Sequence, residues 1–63
     1  MKTLYDVMQL LKTFGVFIYT GERQSDLDLM EDELRDLYRS GLIAPDVFAS
    51  ALLVLRNERH SKK

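Results

Sequence analysis

Positive charge and aromatic rings recur together in a small set of residues. The set consists of Lys12, Phe17, Tyr19, Arg23, Arg56 and Arg59. Lysine and arginine can neutralise the phosphates of a single-stranded nucleic acid, and exposed rings can stack on its bases. The same residue types are expected if the cations complement helix C-termini and the rings fill the core. Both interpretations stay open on the residue types alone.

Carboxylates are concentrated in the middle of the chain, where Asp28, Glu31, Asp32 and Asp36 would share one face of a helix. A hard cation such as calcium needs six or more oxygen ligands from converging directions, which one helix face cannot supply. With one histidine, His60, and no cysteine, zinc lacks strong ligands. The pattern favours a solvated acidic face, and we expect neither a metal nor a cofactor.

The hydroxyl nucleophiles lack a partner for catalysis. Ser25, Ser40 and Ser50 have no histidine nearby in the sequence, and Ser61 has only His60. A catalytic serine needs a base that a third group holds in place. A bundle of this length also has little room for a substrate pocket of about 300 Å³. The sequence therefore predicts a binding protein with no catalytic residues, not an enzyme.

The composition is that of one small folded domain. The chain has 63 residues, 46% of them hydrophobic, no cysteine and a formal net charge of -1. A domain this short buries only about 60% of its unfolded surface, so its stability depends on close packing or association. No apolar run approaches the ~20 residues of a membrane span. Because Met1, Lys2 and Thr3 lead into an amphipathic segment and not a secretory signal, we expect a cytoplasmic protein without a membrane partner.

The hydrophobic spacing predicts three helices, over about residues 4–14, 24–40 and 45–59, with a polar tail at 60–63. Amphipathic helices joined by short links pack with neighbours antiparallel. We therefore predict an all-α fold, a compact antiparallel three-helix bundle in which 1–63 forms a single domain. Its core should contain one central leucine from each helix.

Those central residues are predicted to be Leu11, Leu34 and Leu52. The link at 15–24 is the least regular stretch, because the β-branched and aromatic run from Val16 to Tyr19 is too short for a sheet. We predict an extended or tightly turned connector across the core.

Capping signals mark the helix ends. Thr3 with Asp6, and Ser25 with Asp28, have the spacing of capping boxes at the first two helix starts. Gly15 is a natural end for the first helix, because glycine adopts positive φ without a Cβ clash.

The third helix is signalled by Pro45, which loses nothing by lacking an N–H at the first helical position. Ile43 and Phe48 stand five residues apart across that start, the spacing of a hydrophobic staple. Glu31 and Arg35 in the second helix form a favourable i,i+4 pair.

This topology would gather the cationic and aromatic set at one pole. In an up-down-up bundle the end of the first helix, the start of the second and the end of the third lie together. That pole would also hold both connector aromatics, and its basic residues would be Lys12, Arg23, Arg56, Arg59, His60, Lys62 and Lys63. Single-stranded RNA or DNA is the partner that such a pole would bind, weakly and with tolerance of sequence.

A second class of function rests on leucines outside the core stripes. Leu29 falls nearly opposite the apolar stripe of its helix, Leu53 lies outside the stripe of the third helix, and Leu10 flanks that of the first. Scattered exposed leucines are normal, but a cluster marks an interface. The alternative function is thus a protein–protein adaptor or homodimer that uses these leucines and the acidic second helix.

Several short segments resemble the YqgQ-like family of small bacterial proteins. They are Tyr5-Asp6-Val7, Leu10-Leu11-Lys12-Thr13, Phe17-Ile18-Tyr19-Thr20-Gly21, Leu29-Met30-Glu31-Asp32-Glu33-Leu34, Leu37-Tyr38 and Ser40-Gly41-Leu42. The resemblance covers nearly the whole chain and is weakest after Pro45. It implies a three-helix bundle and single-stranded nucleic-acid binding. It brings no catalytic motif, so the candidate site residues come from this sequence alone.

Overall fold

The computed structural model describes residues 2–60 of the chain and contains three helices. They are α1 (Leu4–Thr13), α2 (Arg23–Arg39) and α3 (Pro45–His60). The prediction of an all-α three-helix bundle is confirmed, with bounds within a residue or two of those expected. His60, predicted to begin the polar tail, is instead the last residue of α3, and the rest of the predicted tail, 61–63, lies outside the described residues. Within the described range no helix is both long and apolar enough to cross a membrane.

Helix α1 has the predicted signals at both ends. The Thr3 hydroxyl accepts a hydrogen bond from the backbone N–H of Asp6, and the Asp6 carboxylate accepts from that of Thr3, which completes the capping box. Hydrogen bonds from the backbone N–H groups of Lys2 and Thr3 lower the pKa of Asp6. At the other end Gly15 has a φ of 81°, and the Val16 N–H donates to the Leu11 carbonyl. This six-residue closure is a Schellman motif.

The start of α2 differs from the prediction. The helix begins at Arg23 with Glu22 as its N-cap, so Ser25 lies inside the first turn and cannot cap it. The Ser25 hydroxyl donates instead to Glu22 Oε1 at 3.0 Å. Asp26 accepts hydrogen bonds of 2.7 Å from both the backbone N–H and the hydroxyl of Thr20. The predicted Ser25–Asp28 capping box is wrong, and a carboxylate in the first turn anchors the connector instead.

Helices α2 and α3 are antiparallel. At one end of the pair, Arg23 Nη1 lies 2.8 Å from Glu58 Oε1. At the other end, the rings of Tyr38 and Phe48 stack with centroids 4.5 Å apart and an interplanar angle of 2°. Pro45 is the first residue of α3, as predicted.

Within residues 2–60 the core contains ten buried apolar side chains, from all three helices and from the α2–α3 link. They are Val7, Leu11, Leu27, Met30, Leu34, Leu37, Ile43, Ala51, Val54 and Leu55. The central positions of Leu11 and Leu34 are confirmed, but that of Leu52 is wrong, since its side chain is only half-buried. Ala51 and Leu55 form the central buried stripe of α3, and Leu52 lies at the edge of that stripe.

The connector is extended and returns along α1. Val16 and Ile18 pack against the core while Phe17 and Tyr19 face solvent, the alternation that an extended chain imposes. Because of this return, the start of α2 lies near the start of α1 and not near its end. Leu4, at the start of α1, lines the same groove as Ile18, Tyr19 and residues at the start of α2.

Candidate nucleic-acid interface

A groove of about 280 Å³ lies between α1 and the extended connector. Tyr5, Gln9 and Lys12 line it from α1, because residues four and three apart project from one face of a helix. Phe17 and Tyr19 line it from the connector, because residues two apart project to the same side of an extended chain. We call this the aromatic groove. Its floor is apolar and includes Met8, Leu11, Val16, Ile18 and Met30.

The rings at this groove are unusually exposed. Tyr19 is 85% exposed, Phe17 73% and Tyr5 67%. Phe17 and Tyr19 were predicted site residues, and the alternative that they fill the core is wrong. Tyr5 was missed. The signal that could have identified it is its spacing of seven residues from Lys12, which is two turns along one face of α1.

Among residues 2–60, Lys12 is the only charged side chain that lines the aromatic groove, and no carboxylate of that range lines it. No ion pair with a described residue engages Lys12. The nearest acid in sequence, Asp6, is occupied at the N-cap, where its carboxylate accepts from the Lys2 N–H at 3.0 Å. In a chain with ten acidic residues and a net charge of -1, this surface is therefore locally positive.

Arg23 lies at a neighbouring groove of about 250 Å³ that also includes Tyr19. Its guanidinium is paired with Glu58 at 2.8 Å, and both side chains remain partly exposed. An exposed pair of this kind is weak, so a stronger anion could displace the carboxylate. Arg23 is thus adjacent to the aromatic groove but partly neutralised.

Arg56 and Arg59 line a different groove, between α2 and α3, together with Glu31 and Arg35. Arg59 Nη2 donates to Asp28 Oδ1 at 2.6 Å and to Glu31 Oε1 at 3.0 Å. Glu31 also accepts from Arg35 at 2.6 Å, which confirms the predicted i,i+4 pair. Arg59 Nε is buried and has no hydrogen-bond partner among residues 2–60. Arg59 therefore ties α3 to α2 and is poorly available to phosphate.

The predicted set consequently does not form one pole. Lys12, Phe17 and Tyr19 come together in the aromatic groove, and Arg23 lines the neighbouring groove that also includes Tyr19. Arg56 and Arg59 lie in the α2–α3 groove. The pole was inferred from a connector that leaves the end of α1 beside the start of α2. Because the connector runs back along α1, the end of α1 with Lys12 does not lie beside Arg56 and Arg59 of α3.

The three leucines predicted to lie outside the core stripes differ in how far they are exposed. Leu29 and Leu53 are 44% and 56% exposed, whereas Leu10 is half-buried and packs against the core. The groove that contains Leu29 is otherwise lined by Thr20, Glu22, Ser25 and Asp28, so its surroundings are polar. Polar surroundings at Leu29 are weaker support for an interface than a contiguous apolar patch would be.

Metal-ligand side chains are not clustered in the part of the chain that the structure describes. Residues 2–60 contain no group of three or more histidine, cysteine, aspartate or glutamate side chains placed to hold an ion. The network of Asp28, Glu31, Arg35 and Arg59 is satisfied by its own opposite charges.

Comparison with known proteins identifies one family. The model of the YqgQ-like family matches residues 1–61. A relative from Bacillus subtilis (strain 168), named "Uncharacterized protein YqgQ", is 46% identical over 63 residues, which covers all of this chain and 89% of the relative. A family model that matches nearly every residue agrees with the segments Phe17-Ile18-Tyr19-Thr20-Gly21 and Leu29-Met30-Glu31-Asp32-Glu33-Leu34 singled out above. The chain therefore belongs to the YqgQ-like family.

Proposed function

We propose that this chain is a non-catalytic protein that binds single-stranded nucleic acid weakly in the aromatic groove. The observation that carries the proposal is the pair of connector rings, Phe17 and Tyr19, which are 73% and 85% exposed in the groove that Lys12 also lines. Lys12 makes no ion pair with any of residues 2–60. Large apolar side chains are normally buried on folding. Exposed rings beside a cation, in a groove without carboxylates, are the features that single-strand binding requires.

The spacing of the rings suits unstacked bases. Two residues of extended chain span roughly 6.6 Å, about twice the ~3.4 Å rise between bases in a stacked strand. One base can therefore lie between Phe17 and Tyr19 while Tyr5 offers a ring across the groove. Lys12 would meet the phosphate beside that base, and Arg23 a neighbouring one. Every base has a π face, so this mode tolerates sequence.

Double-stranded DNA is a poor fit for the same surface. Its bases are stacked and paired, so they cannot reach the rings in the groove. Groove recognition of a duplex would need a helix with a continuous basic face, whereas α2 carries most of the acidic residues and α1 offers only Lys12 beside the rings. The proposal includes a cytoplasmic location, where unpaired RNA and DNA segments are both present.

The test is a fluorescence anisotropy titration of unstructured oligouridine or oligothymidine at several salt concentrations. Each phosphate that is neutralised on a single strand contributes about 0.7 to the slope of log K against log salt. One phosphate neutralised by Lys12, or two if Arg23 also takes part, would give a slope of about 0.7–1.4 for the parent protein. Lys12→Gln should weaken binding and lower the slope by about 0.7.

Arg56→Gln is the matched control, because it removes the same charge from the α2–α3 groove, where no ion pair with a described residue engages Arg56. It should leave affinity and slope close to those of the parent. Arg59 is unsuitable for this comparison, since its loss would leave Asp28 and Glu31 without their shared partner. Equal losses from Lys12→Gln and Arg56→Gln, or no binding by the parent, would reject the aromatic groove as the site.

A second candidate, self-association through exposed leucines, is supported by the exposure of Leu29 and Leu53. If these side chains form an interface, the protein should sediment as a dimer at micromolar concentration. Leu29→Glu should then give a folded monomer, because a buried unpaired carboxylate is costly. Sedimentation as a monomer up to hundreds of micromolar would remove this candidate.

A further inference from the structure

We infer that Glu58 of α3 determines how many phosphates of a bound strand this protein contacts. The proposed function puts Arg23 beside a second phosphate of the strand. By pairing with Arg23, Glu58 prevents that cation from binding it, so Lys12 alone neutralises a phosphate. The inference rests on the proposed function, because it concerns the same bound strand. It goes further in assigning a role to a carboxylate that lies outside the aromatic groove.

Arg23 is placed where the next nucleotide of such a strand would lie. It lines the neighbouring groove together with Tyr19, and the two grooves also share Met8 and Met30. A base stacked on Tyr19 would therefore lie at the boundary between the grooves, with Lys12 in one and Arg23 in the other. One strand can consequently pass both cations.

The charge of Arg23 is already neutralised from α3. Glu58 Oε1 accepts a hydrogen bond of 2.8 Å from Arg23 Nη1. The other carboxylate at this groove, that of Asp26, accepts hydrogen bonds from the backbone N–H and the hydroxyl of Thr20. Among residues 2–60, Glu58 is the one side chain that forms an ion pair with Arg23. It is thus the internal counter-ion of that arginine.

An internal phosphate of a strand is a poor competitor for this pair. It carries one negative charge, the same as the carboxylate that it would replace. Exchange would leave Glu58 unpaired beside the strand, where like charges repel, and Asp26 adds a further negative charge to this groove. Lys12 has no such competitor, since no carboxylate among residues 2–60 lines the aromatic groove. The pair of Arg23 with Glu58 therefore stays formed when a strand binds.

The experiment is an anisotropy titration of oligouridine without terminal phosphates, at several salt concentrations, with the parent and with Glu58→Gln. The parent should show a slope of about 0.7, from one neutralised phosphate. Glu58→Gln releases Arg23, so the slope should rise to about 1.4 as a second phosphate is neutralised. Its affinity should rise by about twofold to fivefold, the strength of one exposed ion pair.

Two further variants show whether this gain acts through Arg23. In a protein that already carries Arg23→Gln, adding Glu58→Gln should leave the slope at about 0.7. Asp32→Asn is the matched control, because it also removes one negative charge. Asp32 is exposed, lines neither groove and makes no ion pair with a described residue. This variant should keep the affinity and slope of the parent.

Three results would overturn the inference while leaving the proposed function intact. They are a slope that Glu58→Gln does not raise above that of the parent, an equal gain in Asp32→Asn, and a gain that persists in the Arg23→Gln protein. Absence of binding by both the parent and Glu58→Gln would instead reject the proposed function, and this inference with it.

Discussion

Leu34→Ala is expected to lower the free energy of unfolding by about 2–5 kcal/mol. Leu34 is fully buried at the centre of α2, in contact with a core to which all three helices contribute. Its truncation removes apolar burial and leaves a cavity that the surrounding helices can only partly fill. A chain of this length is expected to have a stability of roughly 3–9 kcal/mol, so this one change would remove a large share. Urea denaturation followed by far-ultraviolet circular dichroism measures the effect.

Leu53→Ala is the matched control, since the same atoms are removed from a side chain that is 56% exposed. Its cost should be within about 0.5 kcal/mol. If Leu34→Ala proves too unstable to measure, Leu34→Met, which conserves volume, should cost less than about 1.5 kcal/mol and remain folded. Equal midpoints for Leu34→Ala and Leu53→Ala would show that the helix phases described above are wrong.

The ends of the helices were predictable because their signals act over a few residues. Thr3 and Asp6 close a capping box from within one turn, and Gly15 permits the positive φ of a Schellman closure. Pro45 acts through its own ring. None of these interactions depends on what the rest of the chain does. The prediction at Ser25 failed because α2 begins at Arg23, with Glu22 as its N-cap, so the serine lies inside the helix.

The phase of α3 was less predictable because apolar residues nearly encircle it. Ala51, Leu52, Leu53, Val54 and Leu55 are consecutive, so several faces compete for the core. Packing against α1 and α2 selects Ala51, Val54 and Leu55, and it leaves Leu52 at the edge. Such a choice depends on where the neighbouring helices lie, which periodicity within one helix does not encode.

The candidate site was predictable in its residue types but not in its grouping. The sequence indicated Lys12, Phe17 and Tyr19, and these lie together. It could not indicate that an extended connector runs back along α1, since that path depends on contacts made by Val16 and Ile18 with the core. Nor could it indicate that Arg59 binds the carboxylates of Asp28 and Glu31, which are distant from it in sequence.

Combined replacement of Phe17 and Tyr19 by alanine is expected to abolish measurable binding of single strands. Each base stacked on an aromatic ring contributes about 1–3 kcal/mol, so each ring accounts for roughly a 5-fold to 150-fold change in affinity. Few cations line the groove, so phosphate contacts alone cannot compensate for the loss. Both side chains are exposed, so stability should change by less than about 0.5 kcal/mol. Anisotropy titrations with oligouridine, and thermal melts of the same samples, measure the two quantities.

Single replacements of Tyr19 separate stacking from apolar contact. Tyr19→Phe keeps the ring and should keep most of the affinity, whereas Tyr19→Leu keeps apolar surface but no π face and should lose about as much as Tyr19→Ala. The salt slope should be the same for all three variants, because stacking on a ring releases no counterions from the strand. Full affinity in Tyr19→Leu would contradict base stacking. The exposed rings would then be a general apolar surface, for which a protein segment is the better-matched occupant.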